Sequence, residues 1–284
     1  MKQILVLTDF SSSAKNAALY AAALAEKFKA KIFLFHSFTV PLPSTDMPFA
    51  AISFQDLEEQ NTKALIKEAN EIKKKFKVKI EVFAKAGFVV DETMDLQKKL
   101  KSDLIITGMK GKTNAERILI GSTVTDLIRK TKTPVLMIPE KKKFHSPEKI
   151  LLACDYTAPV LPETLASAKE FAKKFHSKIY LVNVVSNGNG KAELMDKAKA
   201  SLKLERQFKD LDYVYYFPHK KDVIEGMDYF LERHKTDLIA MIPHKHNLFE
   251  RMFGKSNTKR MIYHTQVPLL ALPEKHKRFP AYLV

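Results

Sequence analysis

The chain contains one pattern written twice, and that repetition limits its fold more than any other feature. Lys2 to Ser11 reads KQILVLTDFS and Glu148 to Thr157 reads EKILLACDYT, each an apolar run closed by Asp, an aromatic and a hydroxyl residue. A helical pattern follows in both copies, alanine-rich Ser12 to Phe28 and then Pro159 to Phe175. A second apolar run comes next, Lys31 to His36 against Lys178 to Asn183. Further on, Asp103-Leu-Ile-Ile answers Asp237-Leu-Ile-Ala, and Thr133-Pro134 to Pro139 answers Val267-Pro268 to Pro273. The second copy is shorter in its middle: Val40 to Phe54, with three prolines, has only Ser186 to Gly190 as its counterpart. Two copies of so long a period do not make a solenoid. They predict two tandem domains, 1–139 and 148–284, joined by a charged linker at 140–147 that contains Pro147.

Within each copy, short runs rich in Ile, Val, Leu and Phe alternate with helical patterns. Leu57, Ala64, Leu65, Glu68 and Ile72 mark one such helix face. Alternation of this kind predicts an α/β fold: two Rossmann-like doubly wound domains, each a mostly parallel five-stranded sheet flanked by helices. Ligands of such sheets sit beyond the carboxyl ends of the strands, at the point where strand order reverses. Asp9, Ser37 and Gly108 each fall just after an expected strand, so all three are expected at that edge.

The glycines sharpen the expectation. Four occur in the first copy, and three belong to one pattern, Gly108-x2-Gly111-x9-Gly121-Ser122. Two glycines three apart after the run Leu104-Ile105-Ile106 predict a backbone turn whose amides can approach an anion. Gly121-Ser122-Thr123 then opens a helix, where free N–H groups and the helix dipole favour phosphate. Gly111-Lys112-Thr113 and Gly254-Lys255-Ser256 imitate the end of a Walker A loop. The glycine such a loop needs five positions earlier is Ile106 in one and Phe249 in the other. The G-x-G-x-x-G fingerprint of dinucleotide sites is also missing.

Composition narrows the classes. No apolar run reaches the eighteen or so residues that cross a bilayer. The apolar stretch after Met1-Lys2 ends at Leu7, so a secretory signal is not expected. A single cysteine, Cys154, excludes an internal disulfide, predicts a buried thiol on a strand, and fits a reducing cytoplasm. The formal charge of +16 is spread along helices, as in Lys73-Lys74-Lys75 and Lys173-Lys174. That spread argues against a nucleic-acid surface while still drawing anionic ligands inward. His244-Lys245-His246 lacks an acidic or cysteine partner at ligand spacing, so no metal site is expected there.

The segment Leu7-Thr8-Asp9-Phe10-Ser11 and the glycine pattern together resemble the universal stress protein family, as a tandem pair over nearly the whole chain. The resemblance implies an adenine-nucleotide site in the first domain, for ATP or for ADP or AMP, with Mg as a candidate companion ion. It implies that Asp9 recognises adenosine, that Thr8 and Ser37 line the nucleoside pocket, and that Gly108, Gly111 and Gly121 hold ribose and phosphates. Ser122 and Thr123 would hold phosphate, and Lys110 would reach its oxygens. From the residues alone, Asp9 before Ser11-Ser12-Ser13 is equally good helix-capping chemistry.

The second copy departs from the pattern. Ile242, Lys245 and Lys255 stand where the three glycines would be, and only Ser256, matching Ser122, survives beside Asp155. One nucleotide per chain, in the first domain, is therefore expected. No base and metal set for hydrolysis is evident near the glycines, so turnover is expected to be slow or absent. The leading expectation is a cytoplasmic, nucleotide-dependent stress sensor or adaptor with an unidentified protein partner. Its two domains would form an internal pseudo-dimer, with a homodimer of chains open. A slow ATP hydrolase and a ligand-free structural pseudo-dimer are the alternatives.

Overall fold

The computed structural model describes residues 1–40, 53–111, 118–119, 121–153, 160–182, 205–216, 223–243 and 266–274. The chain divides into two compact units, Met1–His145 and Ser146–Val284. The first unit runs β1 (Gln3–Leu7), α1 (Ser12–Phe28), β2 (Lys31–Phe38), α2 (Phe54–Lys73), β3 (Lys79–Ala86), α3 (Val89–Leu100) and β4 (Leu104–Gly111). A two-residue strand β5 (Ile118–Leu119), α4 (Ser122–Lys130) and β6 (Val135–Pro139) complete it. Its sheet has the order β3-β2-β1-β4-β6, with every neighbour parallel. The chain moves one way from β1 to β3 and then jumps back to β4, so the order reverses between β1 and β4. Right-handed crossovers put α1 and α2 on one face and α3 and α4 on the other. Lys130 Nζ, 3.1 Å from an oxygen of Asp91, ties α4 to α3.

Burial explains why these runs form central strands. Ile4, Leu5, Val6, Leu104, Ile105, Ile106 and Leu136 are inaccessible to solvent, as expected where helices cover both faces. The alanine spacing of α1 lets it lie close on β1, β4 and β6, burying Ala17, Ala18, Ala21, Ala22 and Ala25. Ser11 caps α1 by accepting the amide of Ala14. Ser53 and Asp56 form a reciprocal capping box on α2.

The second unit repeats the plan with β7 (Lys149–Ala153), α5 (Pro162–Phe175), β8 (Lys178–Val182), β9 (Tyr213–Tyr216), α6 (Val223–Arg233), β10 (Leu238–Met241) and β11 (Leu269–Ala271). Its parallel order, β11-β10-β7-β8-β9, is that of the first unit. The repeated Asp-Leu-Ile has a physical cause. Asp103 Oδ2 accepts the amides of Lys2 and Gln3 at 2.6 and 3.0 Å, and Asp237 Oδ2 accepts those of Glu148 and Lys149 at 3.1 and 3.0 Å. Each aspartate thus sets the start of one central strand against the next. The helix ends match as well, with Lys29 and His176 both in left-handed backbone at φ 54° and 53°.

Asp103 is exposed and Asp237 is only 6% exposed. Replacing Asp237 with Ala is therefore expected to cost about 2 kcal/mol, and the same change at Asp103 about 1 kcal/mol, because water replaces the lost acceptor only at the exposed site. Urea unfolding of the two variants gives the comparison.

Three expectations are corrected. β4 does not end at Ile106 but continues to Gly111, so Gly108 and Gly111 lie in extended strand rather than a turn. Gly108 pairs with Ile138 of β6, and Gly111 pairs antiparallel with Ile118. Ser37 likewise lies inside β2. Helix α5 starts at Pro162, not Pro159. Proline lacks an amide hydrogen and suits a first helical position, so Pro162 sets the start. Within the expected linker, Glu140 and Lys142 contact α1: Ser12 Oγ donates to Glu140 at 2.5 Å, and Asn16 Nδ2 donates to the carbonyls of Pro139 and Lys142, both at 3.0 Å.

Candidate functional site

The carboxyl edge of the first sheet is built around Gly108. A Cβ there would lie 2.6 Å from the carbonyl oxygen of Ser13 and 3.0 Å from the amide nitrogen of Ala14. The missing side chain therefore lets the first turn of α1 rest directly on β4. This close approach brings the Thr8–Ser13 segment to the reversal point between β1 and β4. It is a different use of the glycine from the anion-facing turn expected of it.

Thr8 is buried, and its hydroxyl is engaged: it donates to the Glu68 carboxylate at 3.2 Å and accepts the amide of Phe10 at 3.1 Å. Asp9 is exposed at the edge. Its Oδ1 accepts the Ser11 amide at 3.0 Å and also the Ser11 hydroxyl. Asp9 thereby orients the residue that caps α1; the cap itself is Ser11. Ser37 Oγ donates to the carbonyl of Gly87 at 2.6 Å, which fastens the end of β2 to the loop before α3. The structure thus gathers Thr8, Asp9 and Gly108 through α1, and engages Ser37 elsewhere.

The short β4–β5 ribbon, with Lys110 opposite Leu119, leads on to Gly121. Gly121 occupies the N-cap of α4 with φ −61° and ψ 153°, and among the described residues a Cβ there would meet nothing within 4 Å. The first turn of α4 contains no acidic residue and receives no side-chain cap, and Ser122 and Thr123 are exposed. The helix thus offers open amides and a positive dipole end. The side chain of Lys110 lies outside the described residues, as do Cys154, Asp155, His244, Lys245, His246, Lys255 and Ser256. Ile242 is described and is 1% exposed, so a buried β-branched side chain stands in the second unit where Gly108 stands in the first. Among the described residues, no group of three or more His, Cys, Asp or Glu is placed to hold a metal ion.

Two residues outside the expected site set, His36 and Glu68, stand at this edge. His36 Nδ1 lies 2.8 Å from the carbonyl of Thr8; a carbonyl only accepts, so Nδ1 carries the proton. The His36 ring meets Phe10 at 4.5 Å between centroids. Glu68, 9% exposed, lies below Thr8. An acid on an otherwise apolar helix face was the signal for it.

Burial pushes the Glu68 carboxyl above its ordinary value; the Thr8 hydrogen bond and Lys15 act against that shift, and the charge of Asp9 adds to it. Between the ordinary and the raised value, the folded chain holds a proton that the unfolded chain has released. Stability is therefore complete below the ordinary value and declines as pH rises through the raised one. Glu68→Gln keeps an acceptor for Thr8 and removes the ionisation. We expect it to raise the melting temperature at pH 7 and to bring no gain at pH 4. Thermal melts at the two pH values test this.

Comparison with known proteins agrees with this architecture. A family model described as the universal stress protein family matches residues 1–139. A universal stress protein of Methanocaldococcus jannaschii is 32% identical over 149 residues, spanning 50% of this chain and 84% of that protein. One from Synechocystis is 24% identical over 294 residues, spanning 95% of this chain and 99% of its own. Among solved structures, a universal stress protein from Archaeoglobus fulgidus superposes with a TM-score of 0.73 at 18% identity. That match covers 95% of this chain and 98% of the other, and it is a likeness of fold.

Proposed function

The chain belongs to the universal stress protein family, and from that premise we propose that its first domain binds an adenine nucleotide, ATP foremost, as the signal of a stress sensor or adaptor. The observation that carries the reading is the first turn of α4: an N-terminus without acids, opened by a glycine whose Cβ position meets nothing and with no side-chain cap among the described residues. A triphosphate needs backbone amides at close range and no competing carboxylate, and this turn offers both. Asp9, exposed across the same edge, is the nucleoside-side group, an acceptor for ribose hydroxyls or the adenine amino group. Thr8 and Ser37 support the pocket through their backbones, since their hydroxyls already serve Glu68 and Gly87. Gly108 supports it from behind by seating α1.

The second domain is read as a structural or regulatory partner without nucleotide, because Ile242 fills the first glycine position. Isothermal titration of the full chain with ATP is expected to give one site per chain. Two equal sites would refute the asymmetry, and none would leave the structural pseudo-dimer as the reading. A crystal soaked with ATP should hold the nucleotide beside Asp9.

A further inference from the structure

A cavity lies in the first unit on the face covered by α1 and α2, with a volume of about 410 Å³. That size is ordinary for a small-molecule site. Phe10, Leu19, Ala64 and Ile72 form its apolar lining, and Lys15, Lys67 and Lys75 stand around it. We propose that this cavity binds an amphipathic anion, such as a medium-chain or aromatic acid, with its apolar body against Phe10, Leu19 and Ile72 and its acidic head among the three lysines.

The charge balance selects the sign of the ligand. The cavity also contains Glu68 and Glu71, which offset the lysines only in part. Glu71 already has Lys74 Nζ at 2.5 Å. Glu68 is nine-tenths buried and receives the Thr8 hydroxyl, and its burial favours the neutral acid. Lys15 acts on Glu68 through charge alone, as Lys75 and Lys67 do on Glu71, whose hydrogen-bonded partner is Lys74. With Lys74 also on Glu71, cations outnumber carboxylates around this apolar cavity, which suits a ligand that brings both an apolar body and a negative charge.

The wall itself is held under strain. Phe10 has φ 63°, a left-handed backbone that an aromatic residue seldom adopts. Its amide is held by Thr8 Oγ1 and its ring by His36, so the neighbours fix a conformation that local energetics disfavour. Strain of this kind collects at ligand-binding walls. The proposal does not depend on the nucleotide reading.

The dye 8-anilinonaphthalene-1-sulfonate, an amphipathic anion that brightens in apolar surroundings, tests it on the full chain. One saturable site per chain is expected, persisting in saturating ATP. Ala64→Trp should fill the cavity and abolish dye binding. Lys15→Gln with Lys67→Gln should weaken binding by about three- to tenfold, as two partly exposed charge contacts would. The uncharged analogue N-phenyl-1-naphthylamine should not respond to the lysine changes. Displacement by ATP, undiminished binding to a folded Ala64→Trp chain, or indifference to the lysine pair would each overturn the proposal. The lysine pair alters only exposed side chains, so it decides the matter even if Ala64→Trp fails to fold.

Discussion

A Gly108→Val chain is expected to lose about 3 kcal/mol of stability, the upper part of the usual range for forcing side-chain atoms into a packed interior. The contacts explain the size. A Cβ at this position meets Ser13 O at 2.6 Å and Ser13 C at 2.7 Å. These are backbone atoms of a helix that also packs on β1 and β6, so no side chain can swing aside. Either α1 lifts from β4 or the strand bends, and both expose core. The reciprocal change, Ile242→Gly, empties a fully buried position in the second unit and should cost at least as much, since large-to-small core changes lose about 2–5 kcal/mol. Urea unfolding followed by circular dichroism measures both. An unchanged midpoint for Gly108→Val would show that α1 does not depend on this contact.

Gly121→Val is expected to behave in the opposite way, leaving the fold in place and removing the ligand. The backbone at Gly121, φ −61° and ψ 153°, is open to any residue, and among the described residues an added Cβ meets nothing within 4 Å. Exchanging the N-cap glycine should cost at most about 1 kcal/mol. The vacancy is useful only to something that enters it, and a branched side chain there would hold phosphate away from the first-turn amides of α4. ATP affinity should fall about a hundredfold, equivalent to about 2.7 kcal/mol, while adenosine binding changes little. Titration calorimetry of the variant with ATP and with adenosine separates the two. An unaltered ATP affinity would remove the phosphate role of α4.

The contrast between these glycines shows how far the site was legible in the chain. Both belong to one spaced pattern. Their physical duties differ, because one backbone is pressed against α1 and the other faces open space. Spacing cannot tell these apart. Ser37 illustrates the same limit: its place near the end of a strand was legible, but the acceptor for its hydroxyl, Gly87, comes from another strand's loop. Glu68 was visible as an acid on an apolar helix face, yet its partner Thr8 lies 60 residues away.

The sequence by itself determined the duplication, the parallel wound sheet of each unit and the edge at which chemistry is to be sought. These follow from local periodicity and from strand-starting aspartates whose work is the same in both copies. Hydrophobic alternation is a property of neighbours along the chain, and burial of both sheet faces leaves few other ways to fold it. Only the tertiary structure decided which side chains at that edge are already engaged. It also decided that β4 runs on through its glycines, that Phe10 takes a left-handed backbone, and that a cationic cavity opens between α1 and α2. Each of these depends on how closely two distant segments approach, a distance set by packing across the sheet rather than by the order of residues.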